Sequence, residues 1–202
     1  MALFLTIPKS GEAIVREKMS RFLAFALHVT SADEAREAIA LYTNEYHDAR
    51  HVCWAYMIGA DRRTFLSSDN GEPSGTAGKP ILGQINSLGL TDVVVIVVRY
   101  FGGIKLGTSG LIAAYREAAR LALEDAGTVE GREMTTLSLT FPYLAMNPVM
   151  TLVKSYAAQA PVNIVSQSFD NTCSMVLSFP LDLLDEISGR LGAVSGTSII
   201  GI

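Results

Sequence analysis

One run of residues, Asp92–Phe101 (DVVVIVVRYF), constrains the fold of this chain more than any other feature. It consists mainly of β-branched and aromatic residues, which predicts a strand buried on both faces of a sheet. A glycine-rich segment, Gly102–Gly110, follows it and leads into a helix expected from about Leu111 to Asp125. The sequence therefore predicts a strand, a loop and a helix in succession.

The rest of the first half predicts further strands and two more helices around this unit. Ser31 is expected to cap the first helix, with Glu34 three residues later completing a capping box. The expected elements are strands at Glu12–Lys18 and Arg21–Thr30, a helix from Ser31 to about Glu45, strands at His51–Gly59 and Thr64–Ser67, a loop at Ser68–Pro80, and a helix at Ile81–Leu88.

A boundary is expected at Gly127–Gly131, after which the pattern restarts. The elements expected beyond it are a strand at Thr135–Pro142, a helix at Pro148–Ala158, a hairpin of Val162–Phe169 and Cys173–Phe179, a helix at Leu181–Leu191, and a strand at Val194–Ile202. This βαββαβ order is the ferredoxin-like split motif. We therefore expect an α+β chain with one domain at residues 1–128 and a second, ferredoxin-like domain at 129–202.

Composition narrows the class of protein further. Hydrophobic residues make up 49% and charged residues 18% of the chain, which supports a buried core. Its apolar runs are far shorter than the roughly 20 residues that a membrane span needs, and the N-terminus lacks the basic region of a secretion signal. Only two cysteines occur, which favours a reducing cytoplasm over a disulfide scaffold. We expect a cytoplasmic protein with no membrane partner; monomer and dimer both remain open.

Charge is distributed unevenly along the chain. The net charge is −4 and the pI about 5.4, so the whole chain gives no case for nucleic-acid binding. Residues 79–120, however, carry a local net charge of +3, and residues 130–202 carry −3. We therefore expect any anion-binding surface to lie in the first domain.

The first glycine loop, Ser68–Pro80 (SDNGEPSGTAGKP), is a candidate anion-binding loop. The backbone N–H groups of its glycines, and those of Ser74 and Thr76, could form a nest of hydrogen-bond donors. Lys79 would add a positive charge to it. It is not a Walker A loop, because Pro73 replaces the leading glycine and Pro80 replaces the hydroxyl that binds magnesium. The alternative is a purely structural loop whose glycines and prolines fix its path.

The second glycine loop, Gly102–Gly110 (GGIKLGTSG), lies between a buried strand and a helix N-terminus. Backbone N–H groups at Thr108, Ser109 and Gly110 would favour an anion there, and Lys105 would add a positive charge. The glycine spacing does not fit the Rossmann pattern, so a dinucleotide site is not supported. A tight structural turn is again the alternative.

Potential metal ligands and catalytic groups are few. His47, His51 and Cys53 are close in sequence, but they cross from a helix end into a strand with no fourth ligand near. We expect no metal or cofactor, a His51 that hydrogen-bonds near the glycine loops, and a Cys53 that is an inert core thiol.

No complete catalytic constellation is identifiable, so we expect no enzyme. Ser74 and Ser109 do not lie in a nucleophile elbow. Asp69 and Glu72 flank the first glycine loop, where they could pair with Lys79 or Arg99.

Several of these motifs resemble the IMPACT/YigZ family. GEPSGTAGKPIL at Gly71–Leu82 and IVVRYFGGIKLGTSGL at Ile96–Leu111 closely resemble its signature. Lys18–Phe22 resembles its K-x-S-R-F element, which includes Arg21, and His47–Cys53 resembles its H-x-A-x-H-x-C element. The likeness covers most of residues 12–125.

The resemblance implies a fold and a class of function. It implies a first domain of the fold shared by a small-subunit ribosomal protein, elongation factor G and the GHMP kinases, and a second domain similar to one in elongation factor G. Eukaryotic relatives regulate translation, using an additional N-terminal domain to contact their partner. We therefore expect a translation-associated binding protein that contacts RNA, the ribosome or translation factors. The segment KLGTSGLIAA also resembles the GHMP-kinase phosphate loop, so an enzyme acting on a phosphorylated small molecule is the alternative.

The candidate residues for binding an anionic partner share a place in or beside these motifs. They are Arg21, His51, Glu72, Ser74, Thr76, Lys79, Arg99, Lys105, Gly107, Thr108 and Ser109.

Overall fold

The structure, a computed structural model, describes residues 3–201 and divides into two compact units. The first unit is Phe4–Gly131, and the second comprises residues 132–201 with Leu3. The strands up to residue 132 are β1 (Leu3–Thr6), β2 (Gly11–Glu17), β3 (Ser20–His28), β4 (His51–Ile58), β5 (Thr64–Ser68), β6 (Val93–Tyr100) and β7 (Val129–Arg132). The helices are α1 (Ala32–Glu45), α2 (Gly78–Ser87) and α3 (Gly107–Ala126).

The first unit is built on an antiparallel five-stranded sheet in the order β2-β3-β6-β4-β5. Its central strand is β6, and Val93–Val98 are all fully buried, which confirms the expected two-faced burial. Val93, Val95 and Val97 pack on the side of the sheet that α2 and α3 cover, whereas Val94, Ile96 and Val98 pack on the side of α1. Two helical layers thus enclose the sheet, because its middle strand has no polar face to expose to water.

Helix α3 lies directly on strands β2 and β3. Seven of its alanines and leucines are buried in the core on this side of the sheet, and so is Tyr115. The approach is closest at Gly11, where a Cβ atom would lie 2.2 Å from the carbonyl oxygen of Ala122. Glycine is needed at this position because the two backbones nearly touch.

The second unit has the element order βαββαβ. The elements are β8 (Met134–Pro142), α4 (Met146–Ala157), β9 (Asn163–Phe169), β10 (Thr172–Pro180), α5 (Leu184–Gly192) and β11 (Ser198–Gly201). The sheet order is β11-β8-β10-β9 with every neighbouring pair antiparallel. Alternate residues of β8 and β10, such as Leu137 and Leu177, are buried with Val149 of α4 and Ile187 of α5 in a separate core. The chain is therefore a mixed α+β protein of two units, as expected.

Some element boundaries differ from those the sequence predicts. Helix α2 begins at Gly78 rather than Ile81, and α3 begins at Gly107 rather than Leu111. Strands β1 and β7 pair with each other in a two-stranded sheet that the sequence pattern does not reveal. The last strand is shorter than Val194–Ile202, and Ile202 lies outside the described residues.

The expected capping box at α1 forms only in part. Ser31 Oγ accepts a hydrogen bond from the Glu34 backbone N–H at 3.2 Å, as predicted. The Glu34 carboxylate, however, accepts from the N–H of Thr30 at 2.7 Å, one residue before the cap. The Thr30 hydroxyl also lies 3.1 Å from that carboxylate. The Glu34 side chain therefore binds two donors of Thr30 instead of the backbone N–H of Ser31, which a full capping box would use.

Within residues 3–201, no helix combines the length and the apolar character that crossing a membrane requires.

We predict that Gly11→Ala strongly destabilises the protein, because the new methyl group would overlap the backbone of α3. The expected loss is about 3 kcal/mol of unfolding free energy, at the upper end for overpacking. The matched control is Gly83→Ala in the exposed part of α2, where a Cβ atom meets nothing within 4 Å. That variant should gain about 0.5–1 kcal/mol from helix propensity. Urea unfolding measures both, and equal effects of the two substitutions would contradict the packing argument.

Candidate functional site

Three side chains form a row across the end of the five-stranded sheet. In the strand register, Phe22 of β3 and His51 of β4 both lie opposite Arg99 of β6. Arg99 has the same parity as Val95 and Val97, so its side chain continues the face that α2 and α3 cover. The alternation of β6 therefore places a charged group at the edge of an apolar core.

Arg99 forms a buried ion pair with Glu72 of the first glycine loop. The Arg99 Nη1 atom donates to Glu72 Oε1 at 2.6 Å, and the two side chains are 6% and 3% exposed. The guanidinium also lies over the rings of Phe22 and Phe101, at 5.4 and 5.5 Å from their centroids. Its buried Nε has no hydrogen-bond partner among residues 3–201. The ion pair thus fixes the loop to the sheet but leaves one donor unsatisfied.

Tyr115 and Cys53 extend this buried network. The Tyr115 hydroxyl donates to Glu72 Oε1 at 2.9 Å, so it reaches the carboxylate from helix α3. Cys53 Sγ lies 2.9 Å from the carbonyl oxygen of Asp69 and 3.3 Å from Tyr115 Oη, and its single proton serves one of them at a time. Burial raises the pKa of the Cys53 thiol to about 12 and raises the pKa of Tyr115 as well. Both groups therefore stay protonated at neutral pH, and Cys53 is the inert core thiol expected.

His51 lies beside this network at the start of β4. Its Nδ1 atom is 2.8 Å from the carbonyl oxygen of Asn70, and its Nε2 atom is 3.9 Å from Glu72 Oε2. Because a carbonyl oxygen only accepts, Nδ1 must carry a proton. The expected hydrogen bond between His51 and the first glycine loop is therefore present.

The first glycine loop does form a nest of N–H donors, but Asp69 of the same loop occupies it. Asp69 Oδ2 accepts from Gly75 N–H at 2.7 Å, and Oδ1 accepts from Ala77 and Gly78 N–H at 2.9 and 2.8 Å. Partial burial alone would raise the pKa of Asp69, but these three donors and the charge of Lys79 outweigh it, so the pKa lies below its ordinary value. Asp69 also caps the start of α2 in this way, which explains why that helix begins at Gly78.

The second glycine loop and the start of α3 border a cavity of about 500 Å³ that also reaches the buried ion pair. We call it the Arg99 cavity. Its polar lining residues are Arg50, His51, Glu72, Arg99, Lys105 and Thr108. Pro73, Phe101, Leu106 and Leu111 supply apolar walls, and Gly71 and Gly107 complete the lining. The cavity therefore combines cations, the N-terminus of a 20-residue helix and an aromatic ring.

The structure brings only part of the predicted residues to this cavity. His51, Glu72, Arg99, Lys105, Gly107 and Thr108 line it. Lys79 lines a second cavity with Arg116, and Thr76 is 3% exposed with its hydroxyl donating to the Pro73 carbonyl oxygen. Ser74 and Ser109 are exposed outside the lining of the Arg99 cavity, and Arg21 lies over the ring of Tyr100 at 5.1 Å.

Residues that sequence reasoning missed are Arg50, Phe101 and Tyr115. Arg50 precedes β4 and is adjacent to Arg99 through a backbone hydrogen bond, in which Arg50 N–H donates to the Arg99 carbonyl oxygen at 3.1 Å. Tyr115 follows Leu111, a residue of the cavity wall, by four positions. The helical repeat places both side chains on the same face of α3, which would have indicated Tyr115. The position of Arg50 depends on strand register, for which the sequence carries no local signal.

The residues considered for zinc do not converge. His47 Nδ1 lies 3.2 Å from the Asn44 carbonyl oxygen, at the end of α1. In the part of the chain that the structure describes, no three His, Cys, Asp or Glu side chains are arranged to hold a metal ion.

Comparison with known proteins identifies the class to which this two-unit α+β chain belongs. Residues 18–123 match the family described as the Impact N-terminal domain. An IMPACT family member of Haemophilus influenzae is 36% identical over 95% of this chain and 96% of its own length. The IMPACT family member YigZ of Escherichia coli is 32% identical over 96% and 94%. The chain belongs to the IMPACT family.

A solved structure extends the likeness to the fold. A crystal structure of a hypothetical protein is 30% identical, with a TM-score of 0.76, and the match covers 100% of this chain and 98% of that one. The likeness therefore includes both units.

We predict that Glu72→Ala costs about 3–5 kcal/mol of unfolding free energy, because it leaves the charge of Arg99 buried without a partner. The matched control is Glu117→Ala on α3, which breaks an exposed ion pair and leaves Arg120 paired with Glu124. Solvent screens that pair, so the change should be much smaller. Chemical denaturation distinguishes them, and a Glu72→Ala protein as stable as the control would refute the importance of the buried pair.

Asp69→Asn should lower the unfolding free energy by about 1–2 kcal/mol, because an amide cannot accept from all three backbone donors. The lowered pKa also predicts a pH dependence. Ionised Asp69 stabilises the fold above the ordinary value of 3.8, and this contribution is lost as the pH falls through the lower folded-state pKa. Melting temperatures at about pH 7 and pH 3 should therefore differ less in the variant than in the parent protein. An unchanged difference would count against the nest.

Proposed function

We propose that this chain is a non-enzymatic, translation-associated binding protein whose first unit binds RNA, free or on the ribosome, through the surface around the Arg99 cavity. One observation carries the proposal. Arg50, Arg99 and Lys105 converge beside the N-terminus of α3, although the chain as a whole has a net charge of −4. Such a local concentration of cations at a helix N-terminus attracts phosphate.

The association with translation is supported by membership of the IMPACT family, because the eukaryotic relatives that the sequence resembles regulate translation. The structure also supports the fold and the domain boundary that the resemblance and the sequence pattern imply. The second unit has the βαββαβ order and an all-antiparallel sheet, which support a ferredoxin-like domain. The division at Gly131 and Arg132 supports a domain boundary near the expected residues 128 and 129. We propose for the first unit the fold shared by the ribosomal-protein, elongation-factor-G and GHMP-kinase domains.

Binding rather than catalysis is supported by the state of the reactive groups. The Cys53 thiol, with a pKa of about 12, is not a nucleophile at neutral pH. Glu72 accepts from both Arg99 and Tyr115, so it remains a paired carboxylate and a poor general base.

The alternative is an enzyme that handles a phosphorylated small molecule, and the volume of the Arg99 cavity, about 500 Å³, favours it. Of the described residues that line the cavity, however, Glu72 is the single carboxylate, and its ion pair with Arg99 competes with a magnesium ion. Turnover of a nucleoside triphosphate with magnesium by the purified chain would replace the binding proposal with this one.

RNA binding should weaken steeply with salt, and Lys105→Ala should weaken it further. Filter binding of a single-stranded RNA oligonucleotide, between about 50 and 200 mM salt, measures both effects. If Lys105 contacts one phosphate, the slope of log K against log salt should be smaller by about 0.7 in the variant.

The matched control for this measurement is Lys154→Ala, an exposed lysine of α4 in the second unit. It removes the same charge from the chain, so it should leave the slope unchanged if binding is confined to the first unit. The absence of RNA binding at low salt would overturn the proposal, and equal slopes for the two variants would remove Lys105 from the binding surface.

A further inference from the structure

The Arg99 cavity has a volume of about 500 Å³ and brings three cationic side chains next to the start of α3. We propose that it binds the terminal phosphate monoester of a nucleotide, with the base of that nucleotide stacked against Phe101. The ligand is either a free 5′-mononucleotide or the 5′-phosphorylated end of an RNA strand. The inference deepens the proposed function and rests on it in assigning this surface to an anionic partner.

The charge of the lining fits a monoester. Arg50, Arg99 and Lys105 are fixed cations, and Glu72 is the one carboxylate among the described lining residues, which leaves two positive charges. A phosphate monoester carries between one and two negative charges at neutral pH, whereas a backbone phosphodiester carries one. The N-terminus of α3, at Gly107 and Thr108, adds a partial positive charge to the same wall.

Arg99 supplies an observation independent of the helix N-terminus. The residue is 5% exposed and lines the cavity, yet its Nε has no acceptor among residues 3–201. The one hydrogen bond that its guanidinium donates within that range runs from Nη1 to Glu72. The Nε side of a guanidinium is the edge that presents two parallel N–H groups to a phosphate or carboxylate. That Nε is itself shielded from solvent, so a phosphate oxygen would satisfy it once the guanidinium shifts toward the cavity.

The part of the Arg99 cavity that a phosphate would leave empty fits a nucleotide base. A cavity of about 500 Å³ is of the size that encloses a whole small molecule, so a phosphate group would fill only part of it. Phe101 is 44% exposed at the wall, and Pro73, Leu106 and Leu111 are apolar. Bases stack on exposed aromatic side chains of this kind without depending on base identity. The walls therefore favour a nucleotide over inorganic phosphate.

The test compares three probes on the full chain at one low salt concentration, with adenosine as a control competitor. They are a short single-stranded RNA with a 5′-phosphate, the same RNA with a 5′-hydroxyl, and adenosine 5′-monophosphate. The 5′-phosphorylated RNA should bind at least about tenfold more tightly than the 5′-hydroxyl RNA, which corresponds to about 1.4 kcal/mol. Adenosine 5′-monophosphate should compete with it, and adenosine should not.

The outcomes separate this inference from the proposed function. Equal binding of the two RNAs would overturn the terminal phosphate and leave RNA binding intact. Binding of the mononucleotide without either RNA would support the cavity ligand and overturn RNA as the partner. Binding by none of the probes would overturn both.

Three substitutions test whether the ligand binds in the cavity. Arg99→Lys removes the two-donor edge at a buried position. Lys105→Ala and Phe101→Ala test the same cavity at exposed positions. Lys105→Ala should reduce the tenfold preference for the 5′-phosphate to about twofold or less, and Phe101→Ala should weaken mononucleotide binding. Arg63→Ala is the matched control, because its side chain is 87% exposed next to the end of β4 remote from His51. A full 5′-phosphate preference in Lys105→Ala would overturn the assignment.

Discussion

The buried ion pair between Arg99 and Glu72 is the interaction on which the candidate site depends. It joins the central strand to the first glycine loop, and the same carboxylate accepts from Tyr115 of α3. Removing two charges from water is costly unless geometry and further hydrogen bonds compensate for it. Here the compensation comes from three separate parts of the chain, so strand, loop and helix must all be in place together. The pair thereby sets the shape of the Arg99 cavity as well as its charge.

Much of this arrangement follows from patterns that are local in sequence. The uninterrupted apolar run of β6 predicts a strand covered on both faces, and its residues do alternate between the two sides of the sheet. The pairing of Glu72 with Arg99 was one of the alternatives that charge alone suggested. These expectations succeeded because period-two alternation and burial are properties of a few neighbouring residues.

The parts that could not be predicted depend on residues distant in sequence. Helix α2 begins at Gly78 because Asp69, nine residues earlier, accepts from its first N–H groups, a spacing that no local capping pattern contains. Arg50 reaches the cavity through the register of β4 against β6. The early start of α3 at Gly107 places Gly, Thr and Ser in a helical turn, against their local preference for loops.

The Asp69 carboxylate gives the first glycine loop an internal source of its shape. The loop contains its own resident anion, so it reaches a fixed conformation before any external molecule arrives and is closed to phosphate at those three amides. A copy of the loop that began after Asp69 would therefore lose the acceptor for these three amides, whereas one that began at Asp69 would keep it. In this chain, the first glycine loop is thus organised by its own carboxylate, and the start of α3 is the neighbouring helix end that borders the Arg99 cavity.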